Sequence, residues 1–333
     1  MQLVTLGEIL IDMFPAEIGR RLADVSAFHP KPGGAPANVA VAARRLGALS
    51  AFIGKVGDDA FGHYLVDVLR REGVEVRAMR ISKTARTTLA IIAMPDAHSA
   101  EFIFYRNPGA DLLLQSDELD LALLDETRAL HIGSLSLVAE PARSATYAAV
   151  ERARAAGALL SFDVNYRPTL WASPAAALAQ IRALLPRIHL LKVNELELAL
   201  LGGNRPVADA VAGLLEAGPE LVVVTRGAQG SAAYSRAGHA AVPAFAVRTV
   251  DATGCGDAFI AGVLTRLTAE ADWRAALAPA SLQQTLFYAN AVGALTAQKQ
   301  GVIPALPDAA EVDAFLASGP LSGPIETIKE PFL

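Results

Sequence analysis

Hydrophobic and polar positions change period several times along the chain, and each change marks an element. Residues 2–12 are an apolar run of strand length, with Gly7-Glu8 near its end and Asp12 closing it. Residues 13–32 are interrupted by Pro15, Gly19, Pro30 and Pro32, so no long helix is predicted there; they suit a lid or hairpin. After Gly33-Gly34, the positions Val39, Ala42, Ala43 and Leu46 share one helical face, with Pro36 in the first turn and Gly47 past the end. Residues 51–56 predict a strand. Gly57-Asp58-Asp59 then predicts the cap of a helix with Phe61, Leu65, Val68 and Leu69 inward, ending at Gly73. Residues 87–94 and 100–106 are β-rich, and 95–99 between them read as a hairpin turn with His98 solvated.

From residue 129 strand and helix alternate. Strands are predicted at 130–137, 158–164, 188–193 and 221–225, with helices at 141–157, from Ser173-Pro174 and from Asn194. This alternation predicts an α/β fold with a mostly parallel central sheet flanked by helices, in which ligands sit at the carboxyl ends of strands. Asp12, Asp163, Arg167, Asn194, Gly227 and the turn at 251–257 all fall at such ends. The hairpin interrupting this pattern predicts a small separate β-sheet. Residues 13–32 and 84–110 would form it, as a lid within one domain spanning 1–333.

Composition narrows the function. A hydrophobic content of 53% suits a large core, and a net charge of −5 argues against a nucleic-acid or membrane surface. One cysteine excludes an internal disulfide framework and suits a reducing, cytoplasmic compartment. The first residues lack a basic n-region and read as a core strand rather than a signal peptide. The charge-free run 275–298 carries Pro279, Gln283, Gln284, Asn290 and Gln298, which fits a soluble buried helix rather than a membrane span.

The richest chemistry lies at 250–262. Residues 244–250 read as a short strand, and Phe259, Val263 and Leu267 recur at helical spacing, so Gly254-Cys255-Gly256 forms a strand-to-helix turn. Free N–H groups of such a helix start bind anions, and the dipole should keep Asp257 ionised beside them. An ionised acid there can take a hydroxyl proton while the amides neutralise a transferring phosphate. A capping acid in a plain turn explains the local spacing equally well. The third glycine of a dinucleotide fingerprint is missing, since Phe259 occupies that place, and no G-x-x-x-x-G-K-[ST] loop occurs. Asn194 and Glu197 have the spacing of a capping box, and also of a pair able to order the waters of a Mg²⁺ ion.

The stretches PGGAPANVAVAARRLG, EFIFYRNPGADLLL, FDVNYRPTLW and TVDATGCGDAF together resemble the ribokinase-like (PfkB-type) carbohydrate kinases, in particular their fructokinase branch. Ala252 and Cys255 depart from the commonest form of the last motif. The resemblance implies ATP-dependent phosphorylation of D-fructose to fructose 6-phosphate. It implies Asp257 as general base and the amides of Gly254, Cys255 and Gly256 as anion hole. It places Asp12, Gly33, Gly34 and Asn38 on sugar hydroxyls, with Arg106 and Arg167 lining the sugar pocket. It places Asn194, Thr225, Gly227, Gly230, Gly254, Gly256 and Asn290 around ATP. Asn194 and Glu197 would organise Mg²⁺, and Asp251 and Thr253 would border a monovalent-cation (K⁺) loop. A homodimer formed through the lid is a further implication. Other sugar kinases of this fold, for 2-keto-3-deoxygluconate, ribose or a nucleoside, stay open at this point. So do a non-catalytic sugar sensor and, more remotely, a nicotinamide dehydrogenase.

Overall fold

The computed structural model describes residues 1–17, 19–93 and 101–319. The strands are β1 (Leu3–Leu6), β2 (Leu10–Pro15), β3 (Phe28–Gly33), β4 (Ser50–Gly57), β5 (Met79–Ser82), β6 (Leu89–Ala93), β7 (Glu101–Tyr105), β8 (Ala129–Gly133), β9 (Leu159–Asp163), β10 (Leu190–Asn194), β11 (Leu221–Thr225), β12 (Ser231–Ser235) and β13 (Gly238–Val242). The helices are α1 (Ala35–Arg45), α2 (Ala60–Arg71), α3 (Leu121–Asp125), α4 (Ala142–Ala155), α5 (Pro174–Leu184), α6 (Glu195–Gly202), α7 (Val207–Glu216), α8 (Cys255–Ala269), α9 (Pro279–Thr296) and α10 (Ala309–Ser318). No helix among the described residues is long and apolar enough to cross a membrane. The predicted hairpin turn at 95–99, with His98, lies outside the described residues.

The main sheet has the order β13-β12-β11-β10-β9-β8-β1-β4-β5. It is parallel from β11 to β5, and β12 and β13 add an antiparallel edge. Strand residues alternate between two apolar layers, as a two-residue period requires. Leu3, Phe52, Leu159, Leu190, Leu221 and Val223 join the layer of α1, α2, α8 and α9. Val4, Ile53, Leu160, Leu191, Val222 and Val224 join the layer of α4 to α7. The strand order reverses between β1 and β8, and a crevice opens there at the carboxyl ends.

A second sheet, β3-β2-β6-β7, stands apart as the lid. The single strand expected at 2–12 is in fact two. Gly7 N–H still bonds Ile53 O of the main sheet (3.1 Å), whereas Ile11 N–H bonds Thr88 O beside the lid (3.2 Å). The chain therefore crosses between sheets at Gly7–Ile9, and Asp12 belongs to the lid rather than to a core strand. The run 130–137 stops pairing at Gly133 and turns into a 3₁₀ segment. The strand expected at 244–250 is extended chain without ladder partners: Pro243 follows β13 and has no N–H to continue the pairing.

Of the two acids expected to cap α2, only Asp59 does so. Asp58 instead meets His63 at the surface (2.8 Å). Asp59 Oδ1 accepts from Gly62 N–H (2.8 Å) and from the Thr87 hydroxyl (2.8 Å), and Oδ2 accepts from Thr87 N–H (2.9 Å). One carboxylate thus starts α2 and fixes the approach to lid strand β6. Burial opposes its charge, but the Thr87 and Gly62 donors outweigh burial and hold its pKa below the ordinary carboxylate value. A depressed folded-state pKa contributes stability above the unfolded pKa, which is lost as pH falls through the folded one. Asp59→Ala should therefore cost about 1–2 kcal/mol at pH 7. Chemical denaturation at pH 7 and at pH 3 checks this, and the difference from wild type should shrink at the lower pH.

Candidate active site

Two cavities open at the carboxyl edge of the main sheet. The larger, of about 590 Å³, is walled by Phe245, Val247, Phe259, Ala294 and Ala297, with Thr225, Gly227 and Gly230 at its rim. The smaller, of about 360 Å³, is polar, and Glu8, Asp12, Asn38, Arg167, Lys192 and Asp257 line it. Ala252 and Gly256 line both, so the turn before α8 is the shared wall. An apolar slot suits a flat base. A chamber of hydrogen-bonding groups suits a polyhydroxyl compound.

The shared turn has the free backbone amides that an anion needs. Gly254 precedes α8 at φ +78°, and a Cβ there would lie 2.1 Å from Val302 Cγ1, so only glycine fits. No side chain caps α8. The Cys255 N–H turns back to Ala252 O (3.3 Å), which leaves the N–H groups of Gly254, Gly256 and Asp257 without acceptors among the described residues. The expected three-amide hole therefore loses Cys255 to the turn itself. The Cys255 thiol is pushed up to about 12, by burial first and then by Asp251 and Asp257, so it is no reactive nucleophile.

Asp257 stands in the first turn of α8, where its Oδ2 accepts from Asn38 Nδ2 (2.8 Å). The helix dipole alone predicted a normally ionised acid. Burial outweighs it, and Asp163 adds to burial, so the pKa rises to about 6 even though Asn38, Lys192 and Arg167 favour the charge. Asp12 is also raised, to about 7, by burial and then by Asp257, with Arg167 opposing. Glu8 rises to about 7 through burial, against the pull of Arg106.

Lys192, on β10, is the cation the sequence reading passed over. Its ammonium bonds Asp163 Oδ2 (2.9 Å) and lies 3.1 Å from where a Gly256 side chain would begin, directly beneath the anion site. Burial works against its charge, but Asp163, Glu197 and Asp257 prevail and its pKa is raised. One lysine in the apolar run Leu190-Leu191-Lys192-Val193 was the signal: a charge inside a buried strand needs a partner.

The other candidate residues are placed unevenly. Gly34, Asn38, Arg167 and Asn194 line the polar cavity with Asp12 and Asp257. Gly33 and Arg106 do not. Gly33 keeps room for Asp12, whose Oδ2 lies 1.9 Å from where a Cβ would stand. Arg106 is buried and bound by the Asp111 carboxylate. Asn194 and Glu197 form a complete capping box on α6, and Glu197 Oε1 also accepts from Tyr166 N–H (2.8 Å). Burial, then Asp163, raises the pKa of Glu197. Asn290 lines the apolar cavity, yet its amide is spent on Ser231 (2.8 Å) and on the carbonyls of Val242 and Pro243. Asp251 accepts from Thr253 N–H (2.9 Å) and Gly301 N–H (3.0 Å), which clips the turn to the chain after α9. Among the described residues no group of three or more His, Cys, Asp or Glu side chains is arranged to hold a metal.

An apolar slot and a polar chamber joined through an anion-binding turn define a phosphotransferase that moves a phosphoryl group from a nucleotide to a hydroxyl. The chain belongs to the pfkB family of carbohydrate kinases, whose model it matches over residues 1–309. It is an ATP-dependent sugar kinase. It is 44% identical over 315 residues to a probable fructokinase-2 of Arabidopsis thaliana, covering 94% of this chain and 95% of that one. It superposes on the crystal structure of a fructokinase with bound ATP from Xylella fastidiosa with a TM-score of 0.88 and 33% identity, covering 95% and 98% of the two chains. A Vibrio cholerae fructokinase with fructose, ADP and calcium ion bound gives a TM-score of 0.84 at 32% identity, covering 95% and 99%.

Cutting the Asp251 clip tests the wall between the cavities. Asp251→Ala frees the amides of Thr253 and Gly301 and should cost about 1–3 kcal/mol of stability. It should also weaken ATP binding about tenfold, a loss of about 1.4 kcal/mol in binding energy. Denaturation and ATP titration of the variant check both.

Proposed function

We propose that the protein phosphorylates D-fructose at the expense of ATP, giving fructose 6-phosphate and ADP, with Asp257 as general base. The observation that carries this reading is the position of Asp257: it lines the polar cavity, accepts from Asn38 and adjoins Gly256, which faces both cavities. With fructose in the polar chamber, Asp257 takes the proton of the attacking hydroxyl. The free N–H groups of Gly254 and Gly256 and the Lys192 ammonium meet the charge that develops on the transferring phosphoryl group. Arg167 and Asp12 face the sugar, as does the unpartnered buried Oδ1 of Asn38. Thr225, Gly227 and Gly230 border the nucleotide.

A divalent ion fits as one carried in by the nucleotide phosphates, because Mg²⁺ keeps several waters and needs no protein cage. Asn194 reaches the cavity and would hold such an ion through water. Glu197 stands behind it and steadies Asn194. When bound, the ion neutralises phosphate charge. Asp251 offers a monovalent cation little, since both its oxygens already accept amide bonds; K⁺ would have to rely on backbone carbonyls of the turn. The lone, half-buried cysteine supports a cytoplasmic setting.

Fructose is favoured over an acid sugar by charge. The carboxyl groups of Asp12 and Asp257 crowd the chamber, whereas Lys192 is tied to Asp163 and Arg106 to Asp111. Among the described residues, Arg167 is the cation lining the chamber that no acid pairs, so a carboxylate such as that of 2-keto-3-deoxygluconate finds little there to balance it. ADP release with Mg-ATP, measured against fructose, ribose, 2-keto-3-deoxygluconate, glucose and adenosine, should be fastest with fructose. Faster turnover of the acid sugar would overturn the assignment. Asp257→Asn should lower kcat by about 10²–10⁴-fold with ATP affinity unchanged. Because the base form of Asp257 is lost below about pH 6, kcat/KM for the sugar should fall on the acid side of that value.

We also propose that the lid mediates a homodimer. On β7, Phe104 lines the polar cavity while Ile103 and Tyr105 point outward, 48% and 61% exposed. Light scattering should give a dimer for the wild type and a monomer for Tyr105→Glu. A monomeric wild type at micromolar concentration would end this proposal.

A further inference from the structure

Glu8 sits where the chain crosses from the main sheet to the lid, and the mechanism leaves it unused. It is 3% exposed and lines the polar cavity. Its Oε1 accepts from Ala35 N–H (3.2 Å), the first residue of α1. Its Oε2 is buried with no partner. The approach is tight: a side chain on Gly34 would start 2.5 Å from Glu8 O. That contact is to the backbone carbonyl, so it pins the Glu8 main chain against the start of α1, on the wall of the polar chamber. An unmet buried polar atom costs about 1–3 kcal/mol, so it persists where a ligand completes it.

We propose that Glu8 is a sugar-contact residue, donating a hydrogen bond from Oε2 to a hydroxyl of the bound sugar while Oε1 holds the start of α1. The inference rests on the polar cavity being the sugar site. The charged groups around Glu8 are Arg106 and Asp111, which follow β7, and Asp12 on β2, itself opposed by Arg167. Arg106 is committed to Asp111 through Nε and Nη2, so it does not supply Glu8 with a full counter-charge. A neutral carboxyl meets these conditions. It accepts at Oε1, donates at Oε2 and adds no negative charge beside Asp12 and Asp257. The raised pKa of Glu8, about 7, is consistent with that state at and below neutral pH. As pH rises past 7 the donor is lost, so sugar binding weakens.

Isothermal titration of fructose and of ATP tests this in the wild type, Glu8→Gln and Glu8→Ala. Glutamine keeps both an acceptor for Ala35 N–H and a donor toward the sugar, and it does not titrate. The expected result for Glu8→Gln is a fructose Kd within about threefold of wild type at pH 6.5, with a flatter profile than wild type between pH 6 and 8. Glu8→Ala should raise the fructose Kd by about tenfold or more and leave the ATP Kd within about twofold. Superimposable pH profiles for the wild type and Glu8→Gln overturn the proposal, as does an unchanged fructose Kd in Glu8→Ala. If Glu8→Ala fails to fold, the Glu8→Gln profile alone decides. A folded wild type that binds no fructose counts against the substrate assignment instead. The same comparison is then made with whichever sugar of the panel the wild type turns over.

Discussion

The hydrogen bond from Asn38 to Asp257 joins residues 219 positions apart, and the site depends on it. It is made one turn into α1 and in the first turn of α8, two buried helices that pack against each other on one face of the sheet. Each helix begins with a glycine-rich turn at the mouth of the crevice. The bond therefore fixes the two helix starts against one another, and with them the amides that flank the acid. Without it, Asp257 would be a buried carboxylate with a higher pKa and a less certain rotamer. With it, the acid stays ionisable near neutrality and keeps its other oxygen for a hydroxyl.

Buried charge sets the second constraint. Glu8, Asp12 and Asp257 line a space walled partly by apolar residues, with Asp163 held beside it by Lys192; among the described residues Arg167 and Lys192 are the cations that line it, and Arg106 pulls on Glu8 from outside the lining. The protein settles this by division. Asp163 is given to Lys192, which keeps the lysine charged at the base of the anion site. Asp257 is given to Asn38. Glu8 and Asp12 are left with raised pKa values and open hydrogen-bonding capacity. Burying groups in this state is unfavourable unless hydrogen bonds complete them, which is what the proposed sugar hydroxyls would do.

The sequence carried the periodic parts of this arrangement. The face of Val39, Ala42, Ala43 and Leu46, the turn before α8 and the capping box of Asn194 and Glu197 were legible because local spacing decides them. The break between β1 and β2 was not. An apolar run reads as one strand until the partner sheets are known, and only Gly7 hinted at the crossover. The stretch after β13 misled for the opposite reason: its residues have strand propensity, but no neighbour offers a ladder. The edge strands β12 and β13 are mostly Ser, Ala and Gly, with Val242 their one β-branched residue, which leaves a weak strand signature. Lys192 and Glu8 were visible as charges within apolar segments, yet their partners are supplied by other strands and helices. Arg106 shows the same limit in reverse, since local sequence could not tell that Asp111 would claim it.

The crossover at Gly7–Ile9 also explains why the lid is more than a cover. Asp12 and Leu10 come from β2 and Phe104 from β7, while Glu8 stands at the junction itself. The wall of the polar chamber thus draws on both sheets, mainly on the larger one and its loops. As proposed, a sugar held by Asp12 on one side and by Asn38 and Asp257 on the other would link the two sheets through its own hydroxyls. On the proposed placement of the sugar, exclusion of water and alignment of the attacking hydroxyl would follow from the same hydrogen bonds that recognise the substrate.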